Sequence, residues 1–461
     1  MDTSPPSHES FPQSVGSLAA AYRSRGWAAE AAELEDAIAS AEQKAAVDTT
    51  TEATTISLEE MSVVVKNCLN RGWWTVAADL GVIVLEARET LLGEKDLATL
   101  TAMSNLASAY WGQGQWDKAA GLGERVTSLR RKSLGEKHPQ TLISMSNLAA
   151  TYRSQGRWAD ARALDSKVVE LKTQTLGRDH HSTLISMANL AVSYASLGQY
   201  AEAETIERQL VEVGERTLSA TDTSMLTWKS NLASTYRDQG RLSVAERLER
   251  EVVDARRESL GTSHPLTLTS MANLASTYRA QSQLVDAEHL EKEVLTTSET
   301  VLGETHPQTL LSLNNLASTY RGQGRLEEAK DLGVKAMNAM QQVLGEHHPH
   351  TLTAMADLAV TYHLTRQPRD AERLASWVLQ TMKATFGENH PHTLTAMANL
   401  GFIYQSQGKW DGAGGLAETV YARREAGLGK DHPDTIAALE DLRRVAWVEA
   451  ADRNDAQRRL T

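Results

Sequence analysis

The sequence predicts an all-α protein, a right-handed superhelical solenoid of about ten antiparallel helix pairs, and three observations carry that expectation. A Leu-Gly pair or a variant of it recurs every 42 residues. Between recurrences, apolar residues follow helical spacing, and a break, usually at glycine, divides most periods into two such runs. No sustained alternation of apolar and polar residues and no hairpin dipeptide marks a strand at the boundaries.

The elements follow in chain order. Residues 1–13 are expected to be disordered, and residues 14–45 to form a degenerate capping repeat around Leu18, Tyr22, Gly26 and Trp27. A polar stretch, residues 46–57, breaks the phase and reads as a linker. The tandem array is assigned to residues 58–432. Its first unit keeps Gly72, Trp74, Ala77 and Leu80, and from Leu92-Gly93 onward the period runs unbroken to Leu428-Gly429. Most Leu-Gly pairs are followed by "HPxT", as in His138-Pro139-Gln140-Thr141, and proline suits the first turn of a helix because its missing N–H is unpaired there anyway. In that unit Leu142, Met145, Leu148, Ala149 and Tyr152 form one apolar face, Gly156 breaks the chain, and Ala161, Leu164, Val168 and Leu171 form the next. Residues 433–461 are read as capping helices, apolar at Ile436, Leu442 and Trp447 and ending in the charged "DRNDAQRRL".

A period of this length fits more than one helical repeat, and the internal spacing discriminates. Met145, Leu148, Ala149, Tyr152 and Ala161 follow the tetratricopeptide order of large, large, small, aromatic and then small across the turn. The small residues stand where two helices of a hairpin must approach closely. The signature recurs at Leu106-Ala107-Tyr110, Leu190-Ala191-Tyr194, Leu232-Ala233-Tyr236, Leu274-Ala275-Tyr278, Leu316-Ala317-Tyr320 and Leu358-Ala359-Tyr362. The excess over the usual ~34 residues fits a longer second helix plus the "LGEKHP" connection. On these residues the chain resembles the tetratricopeptide array of kinesin light chains, which carries "LGxxHPxTxxxxNLAxxYxxQG" at the same period. The resemblance covers roughly residues 92–435, weakens at both ends and implies a recognition module. The heptad coiled coil by which kinesin light chains recruit the motor heavy chain has no counterpart before residue 58.

The formal charge of -12 over 461 residues argues against a nucleic-acid or anionic-membrane partner, whose binders are usually basic. The single cysteine, Cys68, forms no intramolecular disulfide. No basic leader precedes an apolar core, and no apolar run approaches the ~18 residues needed to cross a bilayer. The expected location is the cytoplasm.

In a tetratricopeptide array the first helix of each pair lines the concave side, so its residues not needed for packing are candidates for contact. The position after the helical tyrosine reads Arg23, Trp111, Arg153, Ala195, Arg237, Arg279, Arg321, His363 and Gln405. Arginines in successive repeats, about 10 Å apart, suit the acidic groups of an extended peptide, and a guanidinium can hold a carboxylate by two parallel hydrogen bonds. A short acidic or aromatic-acidic segment is therefore expected along residues 150–325, on Arg153, Arg237, Arg279 and Arg321, with Trp111 as the ligand-facing aromatic. The competing reading pairs these arginines with the acidic faces of neighbouring repeats, Glu246 and Glu288 among them. A column of asparagines runs beside them, including Asn147, Asn231, Asn273 and Asn315 and interrupted by Asp357. Each amide either grips a peptide backbone or bonds between helices.

Eleven of the fourteen histidines lie in the connections between repeats. Connections a repeat apart are too distant to share a tetrahedral ion with ligands at ~2.0 Å, and His347 and His350 supply only part of a shell, so helix capping and no metal is expected. Trp27, Trp74, Trp116, Trp158 and Trp410 share a column with leucines and read as packing, as do Met103, Met145, Met187, Met271, Met355 and Met397. Neither a phosphate-binding glycine loop nor "HExxH" nor "GxSxG" occurs, and no cofactor or catalytic residue is assigned. The expected function is a non-enzymatic protein–protein adaptor. The alternatives are a scaffold that pairs with a second copy through its end repeats, and an enzyme whose site is assembled from distant repeats.

Overall fold

The computed structural model describes residues 11–24 and 51–460, with residues 28, 31, 32, 34–36 and 39 between them. Residues 1–10 of the expected disordered terminus, and Gly26 and Trp27 of the degenerate repeat, lie outside the described residues. All elements are helices, and no strand occurs among the described residues. Three boundaries differ from those expected, the first because the helix Phe11–Ser24 takes in residues 11–13 of the terminus expected to be disordered. The helix Thr51–Asn70 reaches back into the stretch assigned to a linker, where neither proline nor glycine stands in its way. At the C-terminus a single helix, Pro433–Leu460, replaces the expected pair or more, because no glycine or proline follows Pro433.

The chain divides into two compact units, Met1–Ser154 and Gln155–Thr461, so the array expected as one run from 58 to 432 is cut inside one helix pair. The first unit holds the helices Phe11–Ser24, Thr51–Asn70, Trp74–Leu92, Leu97–Gly112, Trp116–Leu134 and Pro139–Ser154. A continuous core joins Val15 and Tyr22 to Val65, Leu80, Met103 and Val126, and the Tyr22 hydroxyl donates to Asp79 at 2.6 Å. The second unit runs from Trp158–Leu176 to Pro433–Leu460 through fourteen helices. Its first helices of each pair, A helices, have 16 residues, as in Pro265–Ala280, and its second, B helices, have 18 or 19, as in Leu284–Leu302. The extra length of the period is thus carried by the B helices. The methionine column is buried throughout, from Met103 at 0 % exposure to Met187 at 7 %. None of the described helices is long and apolar enough to cross a membrane.

Backbone chemistry explains the repeated letters. At the turn inside most hairpins the amide directly after the glycine donates to the tyrosine carbonyl, as in Gln115 to Tyr110 at 2.9 Å and Arg325 to Tyr320 at 3.0 Å. That closure needs a left-handed residue, normally glycine, and Ser282 and Arg366 take it at φ 60° and 59°. At the connection between hairpins the histidine Nδ1 accepts the amide two residues on, at 3.1–3.2 Å for His138, His180, His264, His306, His348, His390 and His432. Asp96 and Asp222 do the same where histidine is missing. The threonine of "HPxT" donates to the preceding glycine carbonyl, as Thr141 does to Gly135 at 2.9 Å and Thr183 to Gly177 at 2.8 Å.

Neighbouring hairpins are tied by buried cations on the B helices. Arg130 reaches Ser144 at 2.6 Å, Lys172 reaches Ser186 at 2.8 Å, and Arg256 reaches Ser270 at 2.6 Å, each on the following A helix. Burial pushes all three pKa values down. Within the second unit, turns also touch distant connections: a Cβ on Gly156 would lie 2.4 Å from Pro391, and one on Gly198 would lie 2.4 Å from His432.

Candidate functional site

The A helix amphipathicity buries the leucine, buries or half-buries the alanine and the tyrosine, and leaves the next residue nearer the surface, which places the arginine column. Arg237 and Arg279 are engaged inside the chain. Arg237 Nη1 donates to Glu249 at 3.2 Å and its Nη2 to Ser234 at 2.8 Å. Arg279 repeats the pattern with Glu291 at 2.9 Å and Ser276 at 3.0 Å, and also reaches the carbonyl of Asn315 in the next repeat at 3.1 Å. Arg321 bonds the Asp357 carbonyl at 3.0 Å and its carboxylate at 3.3 Å. These three side chains keep 22–24 % exposure. Arg153 is half-buried near the end of its A helix.

The carboxylates that meet the arginines are not Glu246 and Glu288. Those two face outward and bind Arg250 with Gln281, and Lys292 with Gln323 and Arg325. The inner partners lie three residues later, a little under one helical turn, on the face turned toward the A helix. They form a column that sequence reasoning missed: Asp165, Glu207, Glu249 and Glu291 are all at most 3 % exposed. Burial raises the pKa of Glu249 and Glu291 even with an arginine beside each. Glu207 is the exception in kind, because Ala195 stands where its arginine would be. Burial pushes its pKa up to about 7.

At two places where the column holds glycine or alanine, the face opens. In the first unit Trp111 replaces the arginine and Gly123 the acid, leaving a cleft of about 210 Å³ bordered by Ser104, Ser108, Asn147 and Ala150. Trp111 is 45 % exposed, and its indole N–H donates to Ser154 at 2.8 Å. A second cleft of about 230 Å³ opens at the far end of the second unit, where Gln405 and Ala417 hold the two positions beside Phe402. A small residue in the acid column together with a residue other than arginine after the tyrosine is the signal that could have located these openings.

The asparagines divide. Asn147 is exposed at the first cleft. Asn273 donates to Ser230 of the preceding repeat at 3.3 Å, and the carbonyls of Asn273 and Asn315 receive Arg237 and Arg279. Asn231 is half-buried. Among the described residues no group of three His, Cys, Asp or Glu is placed to share a metal ion.

A tetratricopeptide repeat family profile matches residues 98–174, 140–216, 224–300, 292–340 and 308–384, and a second tetratricopeptide profile matches 393–434. No curated protein matches the chain. Among solved structures it is similar to a putative kinesin light chain of Podosopora anserina with nearly identical TPR-like repeats, at 32 % identity over 44 % of this chain and 95 % of that one, with a TM-score of 0.38. BtubC from P. vanneervenii matches at 18 % identity over 50 % of this chain and 92 % of its own, with a TM-score of 0.42. The quorum sensor NprR of B. thuringiensis matches at 14 % identity over 80 % and 99 %, with a TM-score of 0.48. With profile matches over most of the repeats and the hairpin chemistry described above, the chain belongs to the tetratricopeptide repeat family.

Proposed function

We propose that the chain is a non-enzymatic adaptor whose A-helix groove takes a short aromatic-acidic segment of a protein partner. The observation that carries this reading is the cleft beside Trp111, an opening with an aromatic wall and room for one bulky side chain. A desolvated aromatic or aliphatic anchor in such a pocket is the usual centre of a protein interface. Arg153 stands three residues beyond Ala150 on the same helix, where an acidic residue next to the anchor gains a charge-assisted hydrogen bond. Arg237, Arg279 and Arg321 belong to the second unit and spend their donors on partners inside the chain.

Selection from a random-peptide display library tests this. Enriched peptides should share one bulky apolar residue with acidic neighbours, and Trp111→Ala and Ala150→Phe should each weaken them about tenfold without changing far-UV circular dichroism. Peptides indifferent to both substitutions would refute the cleft as the anchor site.

A second reading, self-association through an end of the array, is supported by Ile436 and Trp447, which the C-terminal helix exposes. Light scattering should then show a mass that rises with concentration, and Trp447→Ser should abolish the rise.

A further inference from the structure

We propose that the cleft beside Phe402, within the second unit, is a second anchor site that takes an uncharged segment with two neighbouring apolar residues. The inference rests on the reading of the Trp111 cleft as an anchor site and gives each unit its own occupant, with different chemistry.

The two clefts stand at the same register of the 42-residue period, seven periods apart. Ala417 takes the place of Gly123 in the acid column, and Gln405 that of Trp111 after the tyrosine. The volume that Glu249 and Glu291 fill in their own repeats is left open at both. Val420 and Val445, 2 % and 5 % exposed, give the second cleft an apolar floor. Phe402 is its aromatic wall, 43 % exposed, and the His363 ring meets it edge-on at 5.2 Å with Nδ1 3.3 Å from the Ser406 hydroxyl. A wall already held in place lowers the ordering cost of binding.

The two sites differ in charge. The wall of the first carries no charged side chain, and Arg153 stands just beyond it. The wall of the second carries Asp441 and Arg444, which pair with each other, and Trp447 stands where Arg153 does in the first. An acidic neighbour of the anchor therefore meets a guanidinium at the first cleft, whereas at the second it competes with Asp441 for Arg444. An apolar neighbour gains contact with the Trp447 indole, which is 74 % exposed. The side-chain amides of Asn399 and Gln405 have no hydrogen-bond partner among the described residues, so both can bond to the peptide groups of an uncharged segment.

Two capped dipeptides, acetyl-phenylalanyl-leucinamide and acetyl-phenylalanyl-aspartamide, probe the full chain by hydrogen exchange, which reads both units in one sample. The leucine probe should protect residues 391–445 saturably and several-fold more tightly than the aspartate probe, with the order reversed over residues 97–154. Ala417→Phe and Ala398→Leu fill the second cleft from its B and A helices. Each should weaken the effect over 391–445 about tenfold and leave that over 97–154 unchanged. Trp447→Arg should turn the preference of the second cleft toward aspartate. Absence of protection over 391–445, protection that survives both fillings, or a preference for aspartate there in the wild-type chain overturns the proposal. Loss of the effect over 97–154 alone strikes the Trp111 reading and leaves the second cleft standing, so the two readings fail separately.

Discussion

Arg279 donates to Glu291 at 2.9 Å, from the A helix of a pair to its B helix, and the same nitrogen reaches the Asn315 carbonyl of the next repeat. One side chain therefore closes its own hairpin and ties it to its neighbour. Glu291 is buried, so removing the arginine leaves a carboxylate with no counter-charge. Arg279→Ala is expected to cost ~3 kcal/mol, and the double substitution with Glu291→Leu to recover most of it, because an apolar replacement of a buried pair is often neutral. Repeat arrays lose stability locally, so hydrogen exchange over residues 265–302 is the measurement. Unchanged protection in the single variant would show that the pair carries no load.

The left-handed turn residues give a prediction of opposite sign. Ser282 and Arg366 adopt φ near 60°, which costs a side-chain-bearing residue roughly 1–2 kcal/mol. Ser282→Gly removes the strain and also widens the unfolded ensemble, so a net gain of about 1 kcal/mol is expected. A thermal midpoint that falls would mean that the serine makes a compensating bond.

These residues show how far the sequence could be read. The hairpins, the caps and the turns were legible because their signals are local: Pro139 after His138, Gly156 after Tyr152, alanine at a close approach. The arginine column was legible as a column, but its partner was not. Glu246 and Glu249 are both acidic residues of one B helix, and only the packed face distinguishes the outward one from the buried one. The cations Arg130, Lys172 and Arg256 were invisible for a related reason, since a charged residue in a polar helix reads as solvated until the neighbouring repeat covers it. Ala195 appeared in the sequence as an interruption of the ladder. Its meaning came from the burial of Glu207, twelve positions away.

Gly198 carries a constraint that its turn alone does not reveal. Its φ of +70° favours glycine, and a Cβ there would also meet the His432 ring at 2.4 Å. Ala at the comparable Gly240, where nothing lies within 4 Å, isolates the backbone cost of ~1 kcal/mol. Gly198→Ala should exceed that cost, since the clash with His432 adds to it, and should reduce protection at the start of helix Pro433–Leu460. Equal effects at the two glycines would indicate that the His432 contact yields freely.

The burial of Glu207 without an arginine beside it makes stability depend on pH in a defined window. Its carboxyl ionises near pH 7 in the folded chain and near its ordinary value of 4.5 when unfolded. Burial comes first among the causes, and the acidic Asp238 and Glu204 add to it against a hydrogen bond with Thr235. Between those two values the folded state holds a proton that the unfolded state has lost, so stability present below pH 4.5 is lost as pH rises to about 7 and is flat beyond. The difference from Glu207→Gln should grow across this interval by on the order of 3 kcal/mol. Urea unfolding of the two proteins at pH 5 and pH 7.5 measures it. Ala195→Arg should flatten the same dependence, because an arginine placed as Arg237 is beside Glu249 favours the charged carboxylate. Parallel pH profiles in all three proteins would mean that Glu207 finds a counter-charge in solution that the folded chain itself does not provide.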